Sequence, residues 1–414
     1  MSTFEIRRKR MTDAAALIET DQVPIAPVLQ CYPVLNAGYT MKDVIYDFDK
    51  GADSYIKFAQ KYQPDAVNGQ GHMKFGEGPL MELMGLKTMV WAGAPGNRID
   101  VNSIHQFIEY PVLLEEDMEF FARDYTGWLI EKGLPAVFDV MKPFKDLMLS
   151  KMGPMPDMSN LAVAFSTPEM RKTIETFWKI ADIRQELDKK HIALNAAIEE
   201  DVGIPILHRG FAQVPYDAYS DFYRGTLDTM MDLYEHEEIM VDFCATQLEN
   251  TLEMVRMQGK VLKGQWVFMP LHKGMDSFMT SQQYGKYYWN HLQIIIEEII
   301  KEGMTPYIYT EGKYDSRLEF LKDVPKGKVV YHFEECDMAQ AKKVLGDIAC
   351  IAGGFPVHLL DRGSKQQVID EVKRLIDICA PGGGYIFETV YGFDNSIPEN
   401  VEAMFETVRT YGKK

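Results

Sequence analysis

The sequence predicts an α/β fold, a (β/α)8 TIM barrel with an N-terminal extension of helical and mixed structure. Between Trp266 and Phe387 one unit repeats: an apolar strand ends in a polar side chain, and a loop and an amphipathic helix follow. The length of 414 residues suits one barrel with insertions. A hydrophobic fraction of 46% supplies a large core and excludes general disorder. We expect a single barrel domain over residues 1–414, with 1–40 as the extension and 69–160 as elaborations over the barrel mouth.

The first half of the chain is predicted to alternate short strands with helices. VPIAPVLQCY and PDAVNG are strand-like, and the apolar stripe of Met41–Tyr62 predicts a helix between them. Residues 69–78 contain too many glycines for a helix, so we expect a loop over the mouth. A second helix is expected over Thr167–Asn195, followed by the strand GIPILHRGF and a mostly helical stretch over Asp217–Gln258.

The second half carries the clearest strand and helix signals. Ser281 is predicted to cap a helix that stops at Gly303, and Ser364 a helix that stops at Pro381. Both helices lead directly into strands, as a parallel sheet requires. The five predicted strands are WVFMPL, TPYIYTEG, KVVYHFEE, ACIAGGF and GGYIFET.

Charge and cysteine content exclude several classes of protein. The net charge is −17, and RRKR at positions 7–10 is an isolated basic cluster, so nucleic acid is not an expected partner. The N-terminus is charged and lacks an apolar segment, and no run approaches 18 apolar residues, so neither secretion nor a membrane span is expected. Five cysteines without a CxxC pair indicate reduced thiols. These features predict a soluble, cytoplasmic protein.

Acidic and imidazole side chains follow the predicted strands of the second half. They are His272, Glu311, Glu334 or Glu335, His358 and Glu388. In a (β/α)8 barrel the carboxyl ends of the strands converge on one mouth, where catalytic residues lie. We therefore expect these groups to form a candidate cation site.

Alternation along KVVYHFEE distinguishes its two glutamates. Val330, His332 and Glu334 share one side of the strand, and the aromatic rings of Tyr331 and Phe333 share the other. Because aromatic rings suit packing against the surrounding helices, the polar side should face the lumen. Glu334 is then the better ligand, and Glu335 is expected in the loop.

Other interpretations of the acidic groups remain open. Glu311 could instead pair with Arg317 or cap a helix, and an acid cluster at a barrel mouth can donate protons without any metal. Zinc accepts imidazole and carboxylate ligands, but HExxH and other compact ligand spacings are absent from the sequence. His208 and His272 each close a strand, where a base or an orienting group would be useful. Structural histidines are the alternative.

Aromatic and thioether residues near the predicted mouth suit an aromatic substrate. Ordinary core packing is the alternative for each of them. The candidate substrate-binding residues are His72, Phe75, Trp266, Phe278 and Met279.

Three long motifs resemble one known superfamily. They are PLHKGMDSFMTSQQYGKYYW, YTEGKYDSRLEFLKDVPKGKVVYHFEECDMAQAKKVLGD, and CIAGGFPVHLL with PGGGYIFET. They resemble the uroporphyrinogen decarboxylase-like superfamily, in particular its corrinoid-protein methyltransferases, which include methyltransferase I of O-demethylase systems. The resemblance implies a (β/α)8 barrel with zinc at the mouth. It also implies a separate partner protein that carries a corrinoid (cobalamin), since this chain lacks the DxHxxG pattern of a corrinoid domain.

The chain departs from the thiol-methylating members of that branch. Their His-x-Cys pair corresponds to Tyr309-x-Glu311 here, and their final Cys corresponds to Glu388. A thiol acceptor is therefore not expected. The resemblance to ether-cleaving members implies zinc held by Glu311, Glu334 and His358, with Glu335 or Glu388 as alternative ligands. The arginine-bearing motif of the decarboxylase is replaced by LQCYPVLNAGY.

These comparisons of motifs predict a methyltransferase. It would move a methyl group from a small methoxylated aromatic to Co(I) of the corrinoid protein, with His272 or His208 orienting the leaving phenolate. A metal-free lyase that decarboxylates an aromatic or tetrapyrrole acid is the first alternative, and a non-catalytic corrinoid- or porphyrin-binding barrel is the second. A homodimer remains open.

Overall fold

The computed structural model describes residues 1–69, 73–96, 98–147, 151 and 158–413. The strands are β1 (Met89–Val90), β2 (Gln106–Phe107), β3 (Gly210–Phe211), β4 (Trp266–Leu271), β5 (Thr305–Lys313), β6 (Val330–Glu335), β7 (Cys350–Phe355) and β8 (Tyr385–Thr389). The centre of the fold is a parallel sheet in the order β3-β4-β5-β6-β7-β8, and β1 and β2 form a separate antiparallel pair. The five strands predicted in the second half are β4 to β8.

Two short segments complete the ring around the sheet. Ile25 forms a parallel bridge to Phe387 of β8, and the Asp65 N–H donates to the Ile25 carbonyl at 2.8 Å. Val67 forms a parallel bridge to Ile206, which precedes β3. The segments around Ile25 and Val67 thus occupy the first and second strand positions. The predicted α/β barrel is confirmed, with its first positions reduced to single bridges.

Helices surround the sheet and fill its connections. The α-helices are α1 (Thr3–Ala15), α2 (Tyr32–Asn36), α3 (Met41–Tyr46), α4 (Phe48–Tyr62), α5 (Gly78–Met84), α6 (Met118–Arg123), α7 (Tyr125–Trp128), α8 (Leu134–Val137), α9 (Met158–Ala164), α10 (Pro168–Ala196), α11 (Pro215–Tyr219), α12 (Thr226–Glu235), α13 (Glu237–Gly259), α14 (Ser281–Gln283), α15 (Asn290–Lys301), α16 (Leu318–Leu321), α17 (Met338–Leu345), α18 (His358–Arg362), α19 (Lys365–Cys379) and α20 (Pro398–Tyr411). Wider π-type turns span Leu129–Gly133, Ala197–Val202, Ser220–Arg224 and Tyr284–Trp289, and 3-10 segments span Glu115–Asp117, Asp139–Leu147 and Asp315–Arg317.

The helix predicted over residues 41–62 is divided in two. Asp47 has an extended backbone, and its side chain accepts hydrogen bonds from the N–H groups of Asp49 and Lys50. It therefore ends α3 and caps α4. The long helix predicted from Thr167 is confirmed as α10, with the Thr167 side chain as its cap.

Helix caps in the second half follow the prediction closely. Ser364 and Gln367 form the predicted capping box of α19. The helical stretch after β4 is capped by Thr280, one residue earlier than predicted, and Gln283 completes its capping box. Gly303 adopts a φ of +80° just after α15, as a glycine stop requires.

The barrel interior is closed at its amino-terminal end by α1. Met11, Ala14 and Ala15 of this helix belong to one buried cluster with at least one residue from every strand position. The strand residues of this cluster are Ala26, Ala66, Leu207, Trp266, Tyr307, Val330, Cys350, Ala352 and Ile386. Alternate residues of the strands therefore fill the lumen, and the open mouth lies at the opposite end.

Two further expectations concern the state of the cysteines and the presence of membrane-spanning helices. All five cysteines are free thiols, four of them buried. Among the helices of the described residues, none is both long enough and apolar enough to cross a membrane.

Candidate functional site

His272 lies on the loop after β4, between two carboxylates. Its Nδ1 is 2.5 Å from Asp221 Oδ2, and its Nε2 is 3.4 Å from Glu311 Oε1. Burial alone would lower the pKa of His272, but the hydrogen bond to Asp221 and the neighbouring Glu311 raise it to about 11. In the protein alone, the ring is therefore an imidazolium held between two acids.

Asp217 holds the backbone of the same loop. This fully buried carboxylate accepts the N–H groups of His272 at 3.1 Å and Lys273 at 2.9 Å, and the Tyr288 hydroxyl donates to it at 2.6 Å. Burial raises the pKa of Asp217 to about 6, although the positive charge of His272 acts in the other direction. Asp217 thus fixes the start of the loop through two backbone N–H groups, and the Tyr288 hydroxyl holds Asp217 itself.

Lys273 and Phe278 form one side of the site. Lys273 Nζ lies 3.3 Å from Asp221 Oδ1 and 2.8 Å from Thr226 Oγ1. It also lies 5.4 Å from the centre of the Phe278 ring, which is partly exposed. Of the predicted substrate-binding residues, Phe278 is thus placed beside the His272 loop. Met279 is adjacent in sequence, but its side chain is buried.

Arg317 binds the backbone of the loop after β4, which carries His272. Its guanidinium donates to the carbonyls of Gly274, at 3.2 Å, and of Met279, and it lies 3.6 Å from Asp276. Glu311 is instead beside His272. The suggested ion pair between Arg317 and Glu311 is therefore wrong.

Glu311 and Glu334 lie side by side at the ends of β5 and β6. The strand register shifts between Thr310 and Lys313, and Gly312 adopts a φ of +76°, which a glycine tolerates. The Gly312 N–H donates to Glu334 Oε2 at 2.5 Å. Burial raises the pKa of Glu334, and the charge of Glu311 raises it further. Glu334 is half-buried and Glu335 is exposed, as the strand alternation predicts.

A buried polar network lies below these acids. His332 Nδ1 is hydrogen-bonded to Glu388, and the Tyr307 hydroxyl donates to the same carboxylate. His332 Nε2 donates to the Val390 carbonyl at 3.0 Å, and the ring stacks on Tyr309 with centroids 3.7 Å apart. Glu388 is only 2% exposed. It is committed to this interior network, which removes it from the mouth as an alternative ligand.

Aromatic rings line the floor of the mouth. Phe268 is 5.9 Å from Tyr309 and 4.7 Å from His208, measured between ring centroids, and it is partly exposed. His208 adopts a φ of +60° and also lies 5.0 Å from the Tyr307 ring. His208 therefore belongs to the floor, among ring faces against which a planar aromatic molecule could pack.

Other predicted residues lie elsewhere. His358 is exposed at the first position of α18, and no ion pair within the described parts of the chain joins it to Glu311 or Glu334. Phe75 is fully buried against α4, since a side chain on Gly51 would overlap its ring. Trp266 packs with α1 at the end of the barrel remote from the mouth. Phe75 and Trp266 were selected as aromatic residues near the predicted mouth, and His358 from its place after a predicted strand and from the family resemblance. His72 lies outside the described residues.

The site has residue types that bind zinc, but the side chains of the described residues do not form a complete set of ligands. Within the ranges that the structure describes, no three His, Cys, Asp or Glu side chains form a complete metal-binding group. Two atoms are nevertheless well placed. Zinc with bonds of about 2.0–2.2 Å in tetrahedral geometry separates neighbouring ligand atoms by about 3.3–3.6 Å. His272 Nε2 and Glu311 Oε1 are 3.4 Å apart, and the half-buried Glu334 is the next carboxylate.

Several of these residues were missed in the sequence. Asp217 and Asp221 are four residues apart, a spacing that places both on one face of a helical turn and could have drawn attention to them. Phe268 and Tyr309 could have been selected by alternation, as Glu334 was. Lys273 follows His272 directly, but its contact with Asp221 has no local signal.

Comparisons with known proteins agree with this architecture. The sequence pattern of the uroporphyrinogen decarboxylase (URO-D) family matches residues 160–411, which is more than half of the chain. The solved structure of a methyltransferase from Methanosarcina mazei superposes with a TM-score of 0.60 at 14% identity, covering 98% of each chain. No curated protein matches the chain. At this identity the structural likeness establishes a shared fold over the whole length.

Proposed function

The chain belongs to the uroporphyrinogen decarboxylase family, and from that premise we propose a methyltransferase that demethylates a small aryl methyl ether. The acceptor is Co(I) of a corrinoid on a separate protein. The observation that carries the proposal is the placement of His272 Nε2 and Glu311 Oε1, 3.4 Å apart beside Glu334. The full-length likeness in fold to a methyltransferase supports the same class.

The proposed zinc ligands are His272, Glu311 and Glu334. His272 replaces His358 in the ligand set because its ring faces Glu311, whereas His358 is exposed on α18. Zinc bound there would supply Lewis acidity, which polarises the ether oxygen and stabilises the phenolate. Two carboxylates and one imidazole balance the dication, and oxygen-rich ligands suit an oxygen leaving group better than a thiolate.

The remaining residues bind and orient the donor. The rings of Phe268 and Tyr309 pack against the arene, and His208 lies next to both of them on the floor. The bond between the methyl carbon and the ether oxygen breaks, and its electron pair stays on the oxygen. Co(I) provides the pair for the new bond to carbon. The phenolate then takes a proton from water as it leaves.

The activity is tested with purified protein and chemically reduced cob(I)alamin. A donor panel contains methoxybenzoates, methoxyphenols, methylamines and methanol. We expect methylcobalamin, followed by its absorbance, to form with one or more aryl methyl ethers. Failure with every donor would refute methyl transfer, and turnover of methylamines or methanol alone would refute the aryl ether assignment.

The metal is tested by elemental analysis of the purified protein. One zinc ion per chain is expected. His272→Ala should lose it, and the matched variant His358→Ala should retain it. If His358→Ala loses zinc while His272→Ala keeps it, the ligand set implied by the sequence resemblance is correct instead.

A metal-free decarboxylase is the second candidate. It is favoured by the raised pKa of Glu334, because burial makes this carboxyl group hold its proton more readily than a free one, as a proton donor to a carbanion requires. The substrate would be an aromatic or tetrapyrrole acid. Carbon dioxide release by metal-depleted protein, without methyl transfer, would favour this candidate over the first.

A further inference from the structure

We propose that Asp221 is a positioning residue that sets the tautomer and orientation of the His272 ring for metal binding. The inference rests on the zinc site of the proposed function. Asp221 Oδ2 is 2.5 Å from Nδ1 of His272. A carboxylate accepts a hydrogen bond, so Nδ1 carries the hydrogen. Nε2, on the side of Glu311, is then the nitrogen whose lone pair binds the ion.

Asp221 is itself held in place through both carboxylate oxygens. Oδ2 contacts His272, and Oδ1 lies 3.3 Å from the ammonium of Lys273. Lys273 in turn donates to the Thr226 hydroxyl at 2.8 Å, which anchors it to the first residue of α12. The Asp221 side chain is only 16% exposed. Its position is therefore determined by two partners and by limited space.

The loop backbone has a separate support. Asp217, one helical turn before Asp221, accepts the N–H groups of His272 and Lys273. One carboxylate thus fixes the backbone and the other fixes the ring. Replacing Asp221 should therefore leave the path of the loop intact and release the imidazole, while Lys273 keeps its hydrogen bond to Thr226.

This division predicts a specific effect on metal affinity. A carboxylate that accepts the far N–H of a metal-bound imidazole increases the basicity of the ligating nitrogen and prevents rotation of the ring. Loss of such a partner typically weakens metal binding by about 10- to 100-fold. Asp221→Asn keeps the size and one acceptor oxygen but removes the charge, so its effect should be smaller than that of Asp221→Ala.

The experiment measures zinc affinity by competition with a chromophoric chelator. We expect a loss of about 10- to 100-fold for Asp221→Ala and a smaller loss for Asp221→Asn. Asp228→Asn is the matched control, because it removes a carboxylate of the neighbouring α12 that lies 3.9 Å from Arg224. Its zinc affinity should stay within about twofold of wild type. Unchanged melting temperatures establish that the variants are folded.

A second readout reports the ring directly. In 15N-labelled protein, the imidazole signals of His272, identified by their loss in His272→Gln, should show Nδ1 protonated and Nε2 metal-bound. Asp221→Ala should abolish that preference or broaden the signals by ring motion. Wild-type zinc binding combined with unchanged affinity and unchanged signals in Asp221→Ala would overturn this inference alone. Absence of zinc binding in the wild type would overturn the proposed metal site as well.

Discussion

Replacement of Arg317 by Met should destabilise the loop that carries His272. The guanidinium is 1% exposed and lies at hydrogen-bond distance from the carbonyls of three loop residues and from the Ser281 hydroxyl at 3.1 Å. The three carbonyl groups belong to Gly274, Met275 and Met279. Met fills a similar volume beside Tyr284, whose ring the guanidinium covers at 4.6 Å. The substitution therefore removes mainly the donors.

The expected cost follows from those donors. Each buried acceptor left without a partner costs about 1–3 kcal/mol, and the partly exposed ones recover some of this from water, so we expect about 4 kcal/mol in total. Unfolding entropy is about 0.9 kcal/mol per kelvin for a chain of 414 residues. The melting temperature should therefore fall by about 4–5 °C. Differential scanning calorimetry measures it, and limited proteolysis should show earlier cleavage between residues 272 and 281.

Arg256→Met is the matched control for this prediction. Arg256 Nε donates to Glu298 Oε1 at 2.6 Å, but the Arg256 side chain is 43% exposed. Because water screens and replaces that pair, the loss should stay below about 1 kcal/mol, or about 1 °C. An Arg317→Met protein that melts within 1 °C of the control would refute the view that these contacts hold the loop.

Three further predictions concern the barrel and its surroundings. Gly353→Ala should destabilise by more than 3 kcal/mol, since its new Cβ would lie 2.4 Å from a carbonyl oxygen of β6, whereas Gly382→Ala, with a similar positive φ and open space, should cost about 1–2 kcal/mol in urea unfolding. His332→Leu should cost about 3–5 kcal/mol because the buried Glu388 loses its imidazole partner and keeps only the Tyr307 hydroxyl, and adding Glu388→Met should recover part of that loss; an additive double variant would contradict the pairing. Burial lowers the pKa of His191 from 6.5, so its contribution to stability is complete above about pH 7 and declines as the pH falls below 6.5. His191→Gln should flatten the pH profile of the melting temperature in that range, and an unchanged profile would exclude His191 as its source.

The strands of the second half could be predicted because their signals are local. Each of β4 to β8 contains a run of apolar residues and is bounded by turn residues, as expected for strands buried on both faces. The first strand positions are different, since Ile25 and Val67 each make a single bridge. Short runs containing proline, such as VPIAPV, indicate only that extended structure is present. Their place in the ring depends on partners distant in the chain.

The sequence predicts the candidate site only where the alternation of side chains along a strand determines which face each residue occupies. Alternation along β6 correctly separated Glu334 from Glu335, because a strand turns successive side chains to opposite faces. It could not show that the partner of His272 is Asp221, which is 51 residues away. Nor could residue type reveal that Trp266, at the first position of β4, lies at the closed end of the barrel. Long-range packing determines both facts.

The bridge between Ile25 and Phe387 has a consequence for synthesis of the chain. These neighbours in the ring are separated by most of the polypeptide, so the last seam of the barrel can form only after β8 has left the ribosome. Until then the backbone groups of the Ile25 segment lack their partner on that side. Until the seam forms, the nascent protein is an open, curved sheet with two unpaired edges. Chaperones or another growing chain can bind such edges.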